Sequence, residues 1–282
     1  MAPRFAKGRV VLNTLRATAE TRWPAAFASL CPLFDHLAAR NPQHEVHLLP
    51  LFLAPGELAC DIGANRGLFT YWLLRHQAQV AAFEPNPAMG EVLRHRFRRA
   101  VARDQLRIVE GALGDAEGRG TLHVPMGLSP LAALDESLGD RVGRPTRKID
   151  VRLLRLDDCM DADVAFIKLD AEGHELKVLA GARRILERSR PTLLVEAEER
   201  HRAGAVRALR GFLEPLGLKG FFHDGQALVP INRFEPQRHQ ARSALNAAGT
   251  RALKGRAYVN NFIFAGRLDV IARLQAMGTP GS

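Results

Sequence analysis

Cysteine is scarce in this 282-residue chain: Cys31, Cys60 and Cys159 stand far apart and form no C-x-x-C pair. An odd, scattered set supports neither a disulfide framework nor a zinc site. Long apolar runs are missing too. The longest candidate, Leu48 to Leu53, is interrupted by Pro50 and falls short of the roughly 18 residues needed to cross a bilayer. The basic N-terminus, with Arg4, Lys7 and Arg9, has no compact apolar stretch behind it, so a cytoplasmic protein is expected. Aromatic residues make up only 6% of the chain, few for a surface that stacks bases. A dinucleotide loop is also absent: Asn65 and Leu68 stand where G-x-G-x-x-G needs its second and third glycines. That leaves no backbone nest for a pyrophosphate and disfavours NAD or FAD.

What is present is Leu58-Ala-Cys-Asp-Ile-Gly-Ala-Asn-Arg-Gly67, followed by Leu68, Phe69, Trp72 and Leu73 at helical spacing. This reads as buried strand, tight turn and helix. Gly63 and Gly67, lacking a Cβ, let a ligand lie against the main chain at the helix start, with Asp61 and Asn65 beside it. A second apolar strand, Val80 to Phe83, ends in Glu84, about 20 residues beyond the glycine turn, where a carboxylate accepts both ribose hydroxyls of a nucleoside. Asn86 is placed to help seat the sugar. Glu84 also fits a second role, capping the helix from Ala88 to Val101; the glycine turn before it favours the ribose. A third strand, Leu106 to Glu110, ends in Gly111-Ala-Leu-Gly-Asp115, a small-residue edge for an adenine ring, with Gly111 and Ala112 as contacts and Asp115 a turn former. The pattern D-x-G-x-x-x-G, with no phosphate nest, suits S-adenosylmethionine.

At this point the chain resembles the FkbM-type family of S-adenosylmethionine-dependent methyltransferases. The segments that carry the resemblance are Asp61 to Gly67, Phe83 to Pro87, Gly111 to Asp115, Leu156 to Asp158, Phe166-Ile-Lys-Leu-Asp-Ala-Glu-Gly-His-Glu175 running into Val178 to Ala182, and Pro191 to Glu196. They cover residues 55 to 200 closely and the last third loosely, and Ala171 stands where the family more often has valine. The resemblance implies an α/β, Rossmann-like, seven-stranded class I methyltransferase sheet with helices on both faces. It also implies methyl transfer to a hydroxyl of a sugar, glycan or other small metabolite. Residues 55–282 are expected to form that domain and residues 1–54 a helical extension, serving as a cap over the cofactor or as a contact in a homodimer.

Such transfer needs an aligned acceptor and a group to take its proton, and open α/β sheets place that chemistry beyond the carboxyl ends of their strands. Asp170, at the end of the fourth strand (Val164 to Asp170), is the first candidate, facing both cofactor and acceptor. Glu172 fits a general base or a first-turn helix acid. His174 has a suitable ordinary pKa but also the position of a surface histidine at a helix start. Glu196, Glu198 and His201 follow the fifth strand. Lys168, inside an apolar strand, needs a partner, with Asp61 or Glu196 the candidates. Carboxylates here would also suit Mg²⁺, but their spacing is not diagnostic and no metal is expected.

The remainder gives organisation. Phe27, Leu30, Leu33, Phe34 and Leu37 share helical spacing. Residues 118–124 read as a strand pair, Ser129 to Pro145 as a substrate-selecting loop, 205–216 as a helix, and 218–230 and 257–265 as closing antiparallel strands. Asn232 to Arg256 is basic and without periodicity. The net charge of +10 raises a polyanionic partner, with nucleic-acid methylation as the alternative reading. Arg94, Arg96, Arg98, Arg99 and Arg103 lie on one helix whose first reading is a solvated face. No Asn-Pro-Pro-Tyr tetrad follows the fourth strand, which counts against a nucleic-acid acceptor. A non-catalytic cofactor-binding module is the third reading, and the intact motifs count against it.

Overall fold

The computed structural model describes residues 20, 22–41, 44–126, 132–135, 143, 145–200, 202–246, 253 and 256–278. In chain order the principal elements are α1 (Pro24–Ala39), β1 (Leu58–Ile62), α2 (Leu68–Arg75), β2 (Gln79–Glu84), α3 (Pro87–Val101), β3 (Leu106–Glu110), β4 (Ala112–Leu113), β5 (Gly118–Pro125) and β6 (Thr146–Leu154). After these come β7 (Phe166–Leu169), α4 (Glu175–Ala180), α5 (Arg183–Ser189), β8 (Thr192–Glu196), α6 (Ala205–Leu213), β9 (Lys219–His223), β10 (Leu228–Pro230), β11 (Asn261–Ala265) and α7 (Leu268–Gly278).

The central sheet runs β10-β9-β11-β8-β7-β1-β2-β3. Strands β3, β2, β1, β7 and β8 are parallel, whereas β11 runs antiparallel to both β8 and β9. From β1 the chain winds outward through β2 and β3, then returns to β7 on the other side of β1. The strand order therefore reverses between β1 and β7, and the crevice beyond their carboxyl ends is where an open α/β sheet binds ligands.

Alternation along each strand sends its residues to two faces. Cys60, Ile62, Ile167, Leu169, Leu193 and Val195 pack on one side with Val178, Ile185 and Leu209 from α4, α5 and α6. Ala59, Val80, Phe166 and Leu194 pack on the other with Leu73 of α2 and Val270, Ile271 and Leu274 of α7. Residues 45–53 join this second face, where the Phe52 and Phe166 rings stack at 5.5 Å.

The architecture is the expected α/β sheet with helices on both faces, but it has eight strands rather than seven. The eighth arises because residues 218–230 do not run straight. The Asp224 carboxylate accepts the N–H groups of Gln226 and Ala227, an Asx turn that splits the segment into the hairpin β9–β10. Residues 118–124 are likewise not a strand pair: they lie in the single strand β5, whose partner is β6 in a small separate sheet, β4-β6-β5. Most of the loop between Ser129 and Pro145 lies outside the described residues, as do parts of Asn232 to Arg256, whose described portion contains three short helical turns. Among the described residues no helix is long and apolar enough to cross a membrane.

Helix α1 places only part of its apolar set inward. Phe27, Ala28 and Cys31 pack on Met89 and Val92 of α3, while Leu30, Leu33, Phe34 and Leu37 are between 41 and 59% exposed. No residue of α1 lines the cavity described next.

Candidate functional site

The turn after β1 is shaped by steric necessity. A Cβ on Gly63, which sits at φ +75°, would stand 1.9 Å from the Asp170 carbonyl oxygen, so the ends of β1 and β7 meet this closely only at glycine. Gly67, at φ +84°, abuts Phe97 and Leu93 of α3 in the same way. Between them Asn65 also has positive φ (+52°), a conformation Asn tolerates better than most residues. Its side-chain oxygen accepts the Arg66 N–H at 2.7 Å.

That conformation aims the Asn65 N–H at Glu84, whose Oε2 accepts it at 2.7 Å; Oε1 accepts the Asn86 N–H at 2.8 Å. Glu84 is 4% exposed. Burial pushes its pKa up to about 7, against the pull of the two backbone bonds. Each carboxylate oxygen retains acceptor capacity beyond its one backbone donor, and Glu84 lines a cavity beyond the carboxyl ends of the strands.

Gly63, Asn65, Glu84, Gly111, Ala112, Asp170, Glu172 and His174 all line this cavity, so eight of the sequence-derived candidates are brought together. Asp61, Gly67 and Asn86 do not line it. The Asp61 carboxylate turns to Thr70 of α2, accepting its N–H at 2.8 Å and its hydroxyl at 2.5 Å; it pins the helix behind the turn. Asn86 caps α3 by accepting the Ala88 N–H at 3.2 Å. The capping task considered for Glu84 thus falls to its neighbour.

Beyond β7 the chain is strained. Glu172 has φ +50° and Gly173 φ +100°, and a non-glycine residue held this way costs about 1 to 3 kcal/mol. Glu175 holds the turn, its Oε1 accepting the N–H groups of Gly173 at 2.9 Å and Ala171 at 3.3 Å. Burial raises the Glu172 pKa well above its ordinary value, and Asp170, Glu196, Glu175 and Glu198 add to the rise. Burial lowers that of His174, with Lys177 acting the same way and Asp115 opposing. An added Cβ at Gly114 would lie 3.5 Å from His174 Nε2, so the imidazole sits on the small-residue edge after β3.

A second, smaller cavity shares Asp170 and Glu172 with the first and is walled further by Glu175, Glu196, Glu198 and Arg202. Glu196 accepts the Asn260 amide at 2.8 Å, and its pKa is pushed up to about 8 by burial and then by Asp170. Glu198 takes both a bidentate bond from Arg200 and the Tyr258 hydroxyl at 2.5 Å. Arg200, Arg202, Tyr258 and Asn260 were not foreseen: they belong to no local motif, and Tyr258 and Asn260 arrive from 60 residues away because β11 pairs with β8. His201 lies outside the described residues. Lys168 finds its nearest carboxylate in Asp170, 4.0 Å away, rather than in Asp61 or Glu196, and lies 5.3 Å from the Phe69 ring centre. Among the described residues no three His, Cys, Asp or Glu side chains are arranged to hold a metal ion.

A parallel sheet reversing at β1 and β7, with a buried acid at the tip of β2 facing a cavity and small residues after β3, defines a class I methyltransferase architecture. The sequence profile of the Methyltransferase FkbM domain matches residues 61–223. The chain belongs to that family, whose cofactor is S-adenosylmethionine. Among solved structures it is similar to the methyltransferase FkbM of Methylobacillus flagellatus KT, at 18% identity and TM-score 0.48, over 75% of this chain and 44% of that one. The chain thus spans less than half the length of that protein. It is also similar to precorrin-6y C5,15-methyltransferase of Geobacter metallireducens, with 17% identity, TM-score 0.43 and coverage of 78% and 85%. A third is a TehB-like methyltransferase of Corynebacterium glutamicum, with 12% identity, TM-score 0.41 and coverage of 86% and 99%. No curated protein matches the sequence.

The site residues fit the cofactor. The buried Glu84 carboxylate keeps acceptor capacity beyond its two backbone donors, which ribose hydroxyls would use, and the small residues Gly111 and Ala112 line the same cavity.

Proposed function

We propose that this chain transfers the methyl group of S-adenosylmethionine to a hydroxyl oxygen of a sugar, glycan or other small metabolite, working in the cytoplasm. Bound in the larger cavity, the cofactor supplies a methyl group already activated on a sulfonium. Glu84 accepts the ribose hydroxyls, Asn65 and Gly63 line the adjoining backbone, and Gly111 and Ala112 flank the base. His174, against Gly114, is assigned to the base end rather than to proton transfer.

The observation that carries the acceptor assignment is that Asp170 and Glu172 belong to the walls of both cavities. An acceptor approaching from the side of the smaller one would meet the cofactor across these two carboxylates. Asp170 orients the hydroxyl, and Glu172, pushed upward by burial and by its acidic neighbours, takes the proton, since a base works best with a pKa near the operating pH. The low share of aromatic residues, 6% of the chain, gives few rings for stacking bases, which supports a small-molecule acceptor over RNA despite the net charge of +10.

The test is transfer of labelled methyl from S-adenosylmethionine into a cell extract fractionated into glycans, lipids, RNA and small metabolites. Label in RNA alone would replace this reading with nucleic-acid methylation.

A further inference from the structure

The arginine-rich helix α3 is not uniformly solvated. Arg94, Arg98, Arg99 and Arg103 are exposed, but the Arg96 side chain is 2% exposed and the Asp35 side chain of α1 is fully buried. Arg96 Nη2 donates to Asp35 Oδ2, while Arg96 Nη1 donates to the Arg66 carbonyl oxygen at 2.6 Å. The Arg66 guanidinium returns to Asp35 Oδ1 at 3.3 Å and lies 5.8 Å from the Phe34 ring centre. Arg96 is stacked 4.7 Å from the centre of the Phe97 ring and 5.2 Å from that of Tyr71. Beside it α3 departs from helical angles at Phe97 (φ −112°, ψ 21°), the residue that abuts Gly67.

The Arg66 carbonyl is one residue from Asn65, whose positive-φ N–H holds Glu84. We infer that Asp35 and Arg96 are positioning residues for the cofactor: they clamp the glycine turn from behind and so fix the Asn65 N–H that aims Glu84 at the ribose. The N-terminal extension is therefore part of the cofactor site at one remove. A buried acid between two arginines suits this task, because removing one partner leaves an uncompensated buried charge and the arrangement has one geometry.

Coupling between linked sites is reciprocal. S-adenosylhomocysteine bound to the wild-type chain should slow amide hydrogen exchange across residues 24–39 while leaving 268–278 unchanged. In calorimetry Asp35→Asn and Arg96→Met should each weaken S-adenosylhomocysteine about ten-fold, within the usual span of such couplings. Arg96→Lys, which keeps a charged donor, should recover part of the loss. Phe27→Ala, which loosens the same helix without removing the ion pair, should weaken binding less than Asp35→Asn does. The inference rests on the cofactor assignment, and the two fail differently. No binding of S-adenosylhomocysteine to wild type would overturn both, whereas binding without added protection at 24–39, or a Phe27→Ala loss equal to that of Asp35→Asn, would overturn the clamp alone. The exchange experiment needs no variant to fold.

Discussion

Glu84 should release a proton when the cofactor's nucleoside binds. In the free protein burial holds its pKa at about 7 against an ordinary 4.5. Between those values the folded state keeps a proton that the unfolded chain has lost, so Glu84 makes stability fall as pH rises from 4.5 through 7. At about 1.36 kcal/mol per pH unit the cost above neutrality is about 3 kcal/mol. Two ribose hydroxyls donating to the carboxylate favour its charged form and pull the pKa back down. Binding at pH 7 should then release about half a proton from Glu84, close to one at pH 6, and affinity should tighten about ten-fold between pH 6 and 8. The assay is calorimetry with S-adenosylhomocysteine in buffers of different ionisation enthalpy, on wild type and Glu84→Gln. Other groups near the cavities also titrate, so the difference between the two proteins isolates Glu84. The variant should lose that release and bind about 5- to 150-fold more weakly, for about 1 to 3 kcal/mol of charge-assisted hydrogen bonding. Equal proton release from both proteins, or wild-type affinity that weakens as pH rises, would refute the ribose assignment.

Glu172→Gln should lower turnover by about 100-fold or more, the usual share of a general base, with S-adenosylhomocysteine affinity little changed. Because the Glu172 pKa is raised and the base acts deprotonated, wild-type kcat/KM should climb with pH through that value. His174→Ala should keep this limb and Glu172→Gln should lose it; the opposite pattern would transfer the role to the imidazole. Gly63→Ala should destabilise by about 3 kcal/mol or more, since the new Cβ meets the Asp170 carbonyl at positive φ. Urea unfolding checks this, and an unshifted midpoint would contradict it.

The sequence made the residues that line the larger cavity legible because they are local. A glycine turn, an acid at the next strand tip and a small-residue edge each fall within a few residues of a strand end, and strand ends in this fold share one crevice. It did not separate residues that face the crevice from those that build it. Asp61 and Glu84 read alike as acids at strand tips, yet one turns into α2 and the other into the cavity, because Thr70 offers Asp61 two donors. Arg96 read as one of five surface arginines, and only the packing of α1 on α3 sets it apart. The partners of the smaller cavity's acids were least legible: Tyr258 and Asn260 meet Glu198 and Glu196 through the pairing of β11 with β8, a contact of high sequence separation that no local pattern encodes. The eighth strand escaped because it depends on one turn at Asp224.

The most direct test of the account is the fate of the methyl group. Incubation with labelled S-adenosylmethionine and fractionated extract should place label on oxygen in glycans or small metabolites, and Glu172→Gln should sharply reduce it. Label confined to RNA, or no label from a protein that binds the cofactor, would contradict the account.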